Sequence, residues 1–253
     1  MFTRLLVGLD GSPRADVALE QAVLLGRRLR STIVVAHVRE QGDRRPNAGG
    51  AALLERARER VAAAQLSAEV VERQGDPDSV LAELARDADA VLIGRRGMAT
   101  TGDALGPTAA AVVRGTETCV IVCGGAPSPM QVVALAFDGR ETSRRALEIA
   151  AQFASIVHST VHVIHASEDR DAGLLVLGEA EAALSLQGVD FVAHVEPGTP
   201  GEVVARVVKR TRCDALFAGA HVARETPHRP SLVVGSHVEQ ILRHTDLPVV
   251  IQP

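Results

Sequence analysis

Leu5-Leu6-Val7-Gly8-Leu9-Asp10-Gly11 opens the chain, and Val132-Val133-Ala134-Leu135-Ala136-Phe137-Asp138-Gly139 opens its second half. Both are apolar runs closed by Asp-Gly, and Asp10 and Asp138 stand 128 positions apart. The register persists outward from them. Ile33-Val34-Val35-Ala36-His37 returns as Val161-His162-Val163-Ile164-His165, again 128 apart. Gly75-Asp76-Pro77 answers Gly198-Thr199-Pro200 after 123 positions, and Asp89 to Gly94 answers Asp214 to Gly219 after 125. Thr116 to Val122 answers Thr245 to Ile251 after 129. A repeat of this length is a duplicated domain rather than a solenoid unit. The reading is a first domain over 1–124, a linker over 125–129 and a second domain over 130–253.

Within each half, short apolar runs alternate with longer amphipathic stretches, the pattern of β-α-β units on a parallel sheet. Strands are predicted at 3–9, 32–38, 68–73, 89–94 and 118–123, then at 131–137, 159–166, 189–196, 214–219 and 247–252. Helices are predicted at 13–29, 49–65, 77–87 and 107–115, then at 140–156, 170–186, 200–211 and 235–244. Ser12-Pro13 is a strong helix start, a capping hydroxyl followed by a ring with φ already set. Right-handed crossovers leave few arrangements of five such strands. The expected fold class is α/β: two tandem doubly wound, open parallel sheets, five strands each in the order 3-2-1-4-5, of Rossmann-like type. Ligands of such sheets sit at the carboxyl ends of the strands, where the strand order reverses. That point lies between the first and fourth strands, beside Asp10 and Gly94 and again beside Asp138 and Gly219.

Composition narrows the function classes. Five Phe with no Tyr or Trp leave few rings for bases to stack on, which argues against single-stranded nucleic acid as a partner. A net charge of −4 implies no large basic surface. No apolar run approaches the length of a membrane span, and no leader-like segment opens the chain. Three Cys make no disulfide framework, so a cytoplasmic location is expected. Nine His invite a metal reading, but His158, His162 and His165 lack Cys or carboxylate partners at ligand spacing, and no metal site is expected. His221 and His228, with Arg224 and Arg229, read as a polar loop. The nucleophile elbow, the Walker pattern and the His-x-Gly-His signature are all missing, so no enzyme is expected.

What gathers at the expected crevice suits a nucleotide. Asp10 can accept from ribose hydroxyls, and the backbone of Val38 can meet a base edge. Gly94, Gly97 and Gly106 allow close backbone approach, and a helix start beside Thr108 offers unpaired N–H groups to phosphate. The plainer roles are helix capping for Asp10 and Asp138 and tight turns for the glycines.

Both halves resemble the universal stress protein family in its tandem form, over essentially the whole chain. The residues that carry the likeness are Leu9-Asp10-Gly11-Ser12, Val34-Val35-Ala36-His37-Val38, Leu92 to Gly97, and the closing strands Cys119 to Val122 and Pro248 to Ile251. The resemblance implies an adenine-nucleotide site built from the Asp after the first strand, the end of the second strand, and Gly-x2-Gly-x9-Gly-Ser/Thr after the fourth. Carried onto this chain, the positions are Asp10, Gly11, Val38, Gly94, Gly97, Gly106 and Thr108, then Asp138, Ala166, Gly219, Gly235 and Ser236. Both copies depart from the motif. The first has eight residues between Gly97 and Gly106, and Pro107 replaces Ser/Thr; the second has Val222 for the middle Gly. The expected ligand is ATP, or ADP or AMP, with or without Mg. The resemblance further implies stress-response regulation through ligand-dependent contact with unknown protein partners. It also implies pairing of 118–123 with 247–252 as an internal pseudo-dimer, and pairing of two chains as a homodimer. The alternative is a nucleotide-free scaffold with degenerate motifs.

Overall fold

Ser12 and Pro13 start the first helix as their chemistry dictates. Ser12 is extended (φ −76°, ψ 154°), and its hydroxyl accepts from the backbone N–H of Ala15 at 3.2 Å. The computed structural model describes residues 1–40, 48–97, 105–220, 241–242 and 245–253. By backbone contacts the chain divides into two units, Met1–Pro127 and Ser128–Pro253. The first runs β1 (Arg4–Gly8), α1 (Pro13–Leu29), β2 (Thr32–Arg39), α2 (Ala48–Ala63), β3 (Ala68–Gln74), α3 (Pro77–Ala85), β4 (Ala90–Gly94), α4 (Pro107–Gly115) and β5 (Cys119–Cys123). The second runs β6 (Val132–Ala136), α5 (Glu141–Val157), β7 (Thr160–Ala166), α6 (Arg170–Leu186), β8 (Phe191–Glu196), α7 (Pro200–Thr211), β9 (Ala215–Gly219) and β10 (Val249–Gln252). The helix expected at 235–244 falls almost wholly outside the described residues.

In the first unit the strand order is β3-β2-β1-β4-β5, and every observed pairing is parallel. In the second it is β8-β7-β6-β9-β10, again parallel. Each unit therefore has the 3-2-1-4-5 order. All five residues of β4 are buried, as are four of five in β1, because helices cover both faces. The outer strands β3 and β8 are mostly exposed or half-exposed. Leu5, Leu6, Ile33, Leu92 and Leu135 are fully buried, each contributing about 1.5–3 kcal/mol of transfer free energy. With aromatics so few, Phe153 and Phe217 make one tilted pair, centroids 5.5 Å apart, in a largely aliphatic second core that also buries Phe137.

The duplication reaches the backbone. Buried Phe2 and Met130 both adopt a left-handed conformation (φ 50° and 52°). The carbonyl of each accepts from a buried hydroxyl 29 residues on, Ser31 and Ser159 respectively, at 2.5 Å in both cases. Asp89 accepts from the backbone N–H of Arg4, and Asp214 from those of Gln131 and Val132, so a carboxylate caps the first strand of each unit. Helices α1, α5 and α7 end on non-glycine residues in the left-handed region: Arg30, His158 and Arg212, at φ 58°, 56° and 54°.

Candidate functional site

In the first unit the strand ends diverge around a cavity of about 510 Å³, a size typical of small-molecule sites. Asp10, Val38, Gly94, Gly97, Gly106 and Thr108 all line it. Gly11 does not; at φ +82° it forms the turn that carries the chain from β1 into α1. Other lining residues were not read from the sequence as site residues, among them three that reach the cavity from beyond the strand ends and glycine turns. Glu40 follows β2, and Pro77 and Leu81 come from the start of α3, which packs over β1 and β2. His37, which matches His165 at the equivalent strand end and is expected from that to share a structural role with it or to line the crevice, does line the cavity.

Asp10 is held in place. Its Oδ1 accepts from the backbone N–H of Ser12 at 2.9 Å, and its Oδ2 lies 2.7 Å from where a Cβ on Gly97 would sit. Gly97 is thus glycine because the carboxylate fills the space of a side chain. Gly94 has a different reason: a Cβ there would meet the Arg14 carbonyl of α1 at 2.8 Å. Gly219 repeats that contact against the Thr142 carbonyl of α5. Both glycines let a helix start lie close over a strand end.

Nδ1 of His37 lies 2.8 Å from the carbonyl oxygen of Leu9, just before Asp10. Nδ1 of His165 lies 2.9 Å from that of Phe137, just before Asp138. A carbonyl only accepts, so each ring donates there and ties the end of the second strand to that of the first. Helices α2 and α6 close over these rings at glycines. A Cβ on Gly50 would lie 2.9 Å from the His37 ring, and one on Gly173 would lie 3.3 Å from the His165 ring.

The far end of the first cavity is positive and glycine-rich. Arg96 lines it, and the backbone N–H of Gly106 donates to the Arg95 carbonyl at 2.8 Å, closing the loop base. Helix α4 begins at Pro107, with Gly106 as its N-cap and no side-chain cap. Pro107 offers no N–H, so this helix start has one donor fewer than usual.

The second unit has a smaller notch of about 130 Å³, lined by Asp138, Ala166 and Gly219 among others. Here too the carboxylate is engaged. Asp138 Oδ1 accepts from the Ser143 hydroxyl at 2.7 Å and the Arg140 backbone N–H at 3.0 Å; its Oδ2 lies 3.6 Å from the Arg140 guanidinium. Partial burial raises the Asp138 pKa, but these donors, with the charges of Arg140 and His165, outweigh it and hold it below the ordinary carboxylate value. Gly235 and Ser236, together with Val222, His221 and His228, lie outside the described residues.

Among the described residues no group of three or more His, Cys, Asp or Glu could hold a metal ion, and no helix is long and apolar enough to cross a membrane. Cys119, Cys123 and Cys213 are free and buried.

The sequence model described as the universal stress protein family matches the chain twice, over residues 1–124 and 130–253. A curated relative, universal stress protein Slr1230 from Synechocystis sp., is 27% identical over 190 residues. Those residues are 73% of this chain and 64% of the relative, so the match spans less than two thirds of that protein's length. Among solved structures, a universal stress protein from Archaeoglobus fulgidus DSM 4304 superimposes with a TM-score of 0.83 at 21% identity, covering 99% of this chain and 98% of that one. A functionally unknown protein, PA1789 from Pseudomonas aeruginosa PAO1, reaches 0.72 at 18% identity, covering 99% and 92%. At such identities these structures speak for the fold.

Proposed function

The chain belongs to the universal stress protein family, and we propose that its first half binds one adenine nucleotide and signals by that occupancy, without chemistry on the ligand. The observation that carries this reading is the 510 Å³ cavity, where six of the seven first-half positions implied by the family motif converge. Asp10 would take the ribose hydroxyls and the Val38 backbone the base edge. Arg96, Thr108 and the start of α4 would take phosphate oxygens, by charge, hydroxyl and helix dipole. Leu81 and Pro77 supply an apolar wall for the base. The second notch, with about a quarter of the volume, is assigned no nucleotide.

Binding changes a protein's contacts only through states of different affinity, so occupancy would act by shifting a surface between conformations. Calorimetry of the full chain with ATP, ADP and AMP in turn tests the first step. The expected result is saturable heat at one nucleotide per chain. Hydrogen exchange with and without nucleotide tests the second, with protection expected at the ends of β1, β2 and β4. No heat and no thermal shift at millimolar nucleotide would favour the other reading, a nucleotide-free scaffold.

A further inference from the structure

Two histidines on neighbouring strands of the second unit meet nitrogen to nitrogen. His162 of β7 and His194 of β8 have Nδ1 and Nε2 respectively 2.8 Å apart, with ring centroids 5.1 Å apart and planes inclined by 26°. Both are half-buried. The other nitrogen of His194, Nδ1, faces the guanidinium of Arg210 in α7 at 3.5 Å. Arg210 bonds Glu196 at 2.5 Å, and Glu196 also takes Arg206 at 2.9 Å. The charged groups facing the pair are therefore Glu196 on β8 and Arg206 and Arg210 on α7.

The donors fix the protons. A guanidinium only donates, so Nδ1 of His194 accepts and its hydrogen sits on Nε2. That N–H then donates to Nδ1 of His162, whose own hydrogen sits on its Nε2. The chain from Glu196 through Arg210 and His194 to His162 is complete only with both rings neutral. A proton added to His194 would turn an N–H toward Arg210. A proton added at Nδ1 of His162 would turn an N–H toward the N–H of His194. The nearby arginines also oppose a bound cation.

The fold does not require this pair. Val34 faces Glu69 in the first unit as His162 faces Val192 in the second, and two residues further on Val71 stands where His194 does. The first copy fills both positions with valine.

We propose that this chain of four residues is a proton-responsive latch, fastening the last turn of α7 to β7 and the outer strand β8 near neutral pH and releasing them on acidification. It is independent of the nucleotide reading and lies in the other half of the molecule. Burial and the Arg210 charge lower the pKa of His162; burial, His162 and Arg210 lower that of His194, against a smaller opposing effect of Glu196. A histidine with a lowered folded-state pKa stabilises the fold above its unfolded value of about 6.5, and that stability is lost as pH falls below it.

The test compares the full chain with the variant His162→Val/His194→Val, which copies the first half, in thermal unfolding between neutral pH and pH 5. The wild type should lose more of its melting temperature over that range than the variant does. Nitrogen-15 spectra of histidine-labelled wild type provide a readout that needs no variant. They should show His194 protonated on Nε2 at neutral pH, with both rings titrating below the ordinary value. Equal pH slopes in the two proteins, or two rings titrating independently at the ordinary value, would overturn the latch.

Discussion

A methyl group added to Gly97 would sit 2.7 Å from Oδ2 of Asp10, a carboxylate already tethered through its Oδ1 to the Ser12 N–H. That contact joins the loop after β4 to the turn after β1, and it separates the nucleotide reading from general stability. Gly97→Ala is expected to push the carboxylate aside and weaken ATP binding at least about tenfold, the loss of one charge-assisted hydrogen bond or more. The loop is at the surface, so the melting temperature should change little. Calorimetry and a thermal melt on the same sample check both halves of the expectation.

The matched histidines provide a paired comparison. His37→Ala and His165→Ala each remove one ring-to-carbonyl hydrogen bond, and each should cost about 1–2 kcal/mol in urea unfolding. Only His37→Ala should also weaken nucleotide binding, because His37 lines the larger cavity and ties the residue before Asp10. Equal effects on binding from both variants would contradict assignment of the ligand to the first half.

Two glycine-to-alanine changes should have opposite signs. At Gly219 the new methyl would run into the Thr142 carbonyl, a backbone atom that cannot step aside cheaply, so a loss of about 1–3 kcal/mol is expected. Gly178 lies inside α6, is exposed, and has open space where a Cβ would go. Alanine there should stabilise by about 0.5–1 kcal/mol through helix propensity. Chemical denaturation of the two variants checks the pair.

Thiol chemistry should be silent in the folded protein. Burial pushes the thiols of Cys119 and Cys123 up to about 12, and burial also raises that of Cys213. Ellman's reagent at pH 8 should find none of the three until denaturant is added, then all three. Rapid reaction of any thiol in buffer would mean that a core strand opens locally.

Much of the architecture was legible because local and global signals agree. Val-, Ile- and Leu-rich runs of strand length, the Ser12-Pro13 start and the fixed hand of crossovers all point to one sheet order. The duplication supplied a second witness for each strand. Strand ends were less legible: Val189 was read as strand yet precedes β8, which begins at Phe191. A buried apolar residue beside a strand carries the same signal as one within it. At the cavity, Asp10, Gly94, Gly97 and Gly106 were readable from the sequence, whereas Gly11 proved to lie outside it and Leu81 and Pro77 were not read. They reach the cavity from α3, whose placement over β1 and β2 is a tertiary fact. The His162–His194 contact was invisible for a related reason. It spans 32 residues and depends on a diagonal across the β7–β8 register, which no linear spacing encodes.

Arg30, His158 and Arg212 close three helices in a backbone region that costs a side-chain-bearing residue about 1–2 kcal/mol and costs glycine nothing. Substituting glycine at each should recover part of that, about 0.5 kcal/mol per position after the added freedom of the unfolded chain is set against it. The molecule thus carries a reserve of unused ruggedness outside its sheets, its cavity and its histidine chain. An engineered parent bearing all three changes would tolerate disruptive core variants that the natural sequence could not survive.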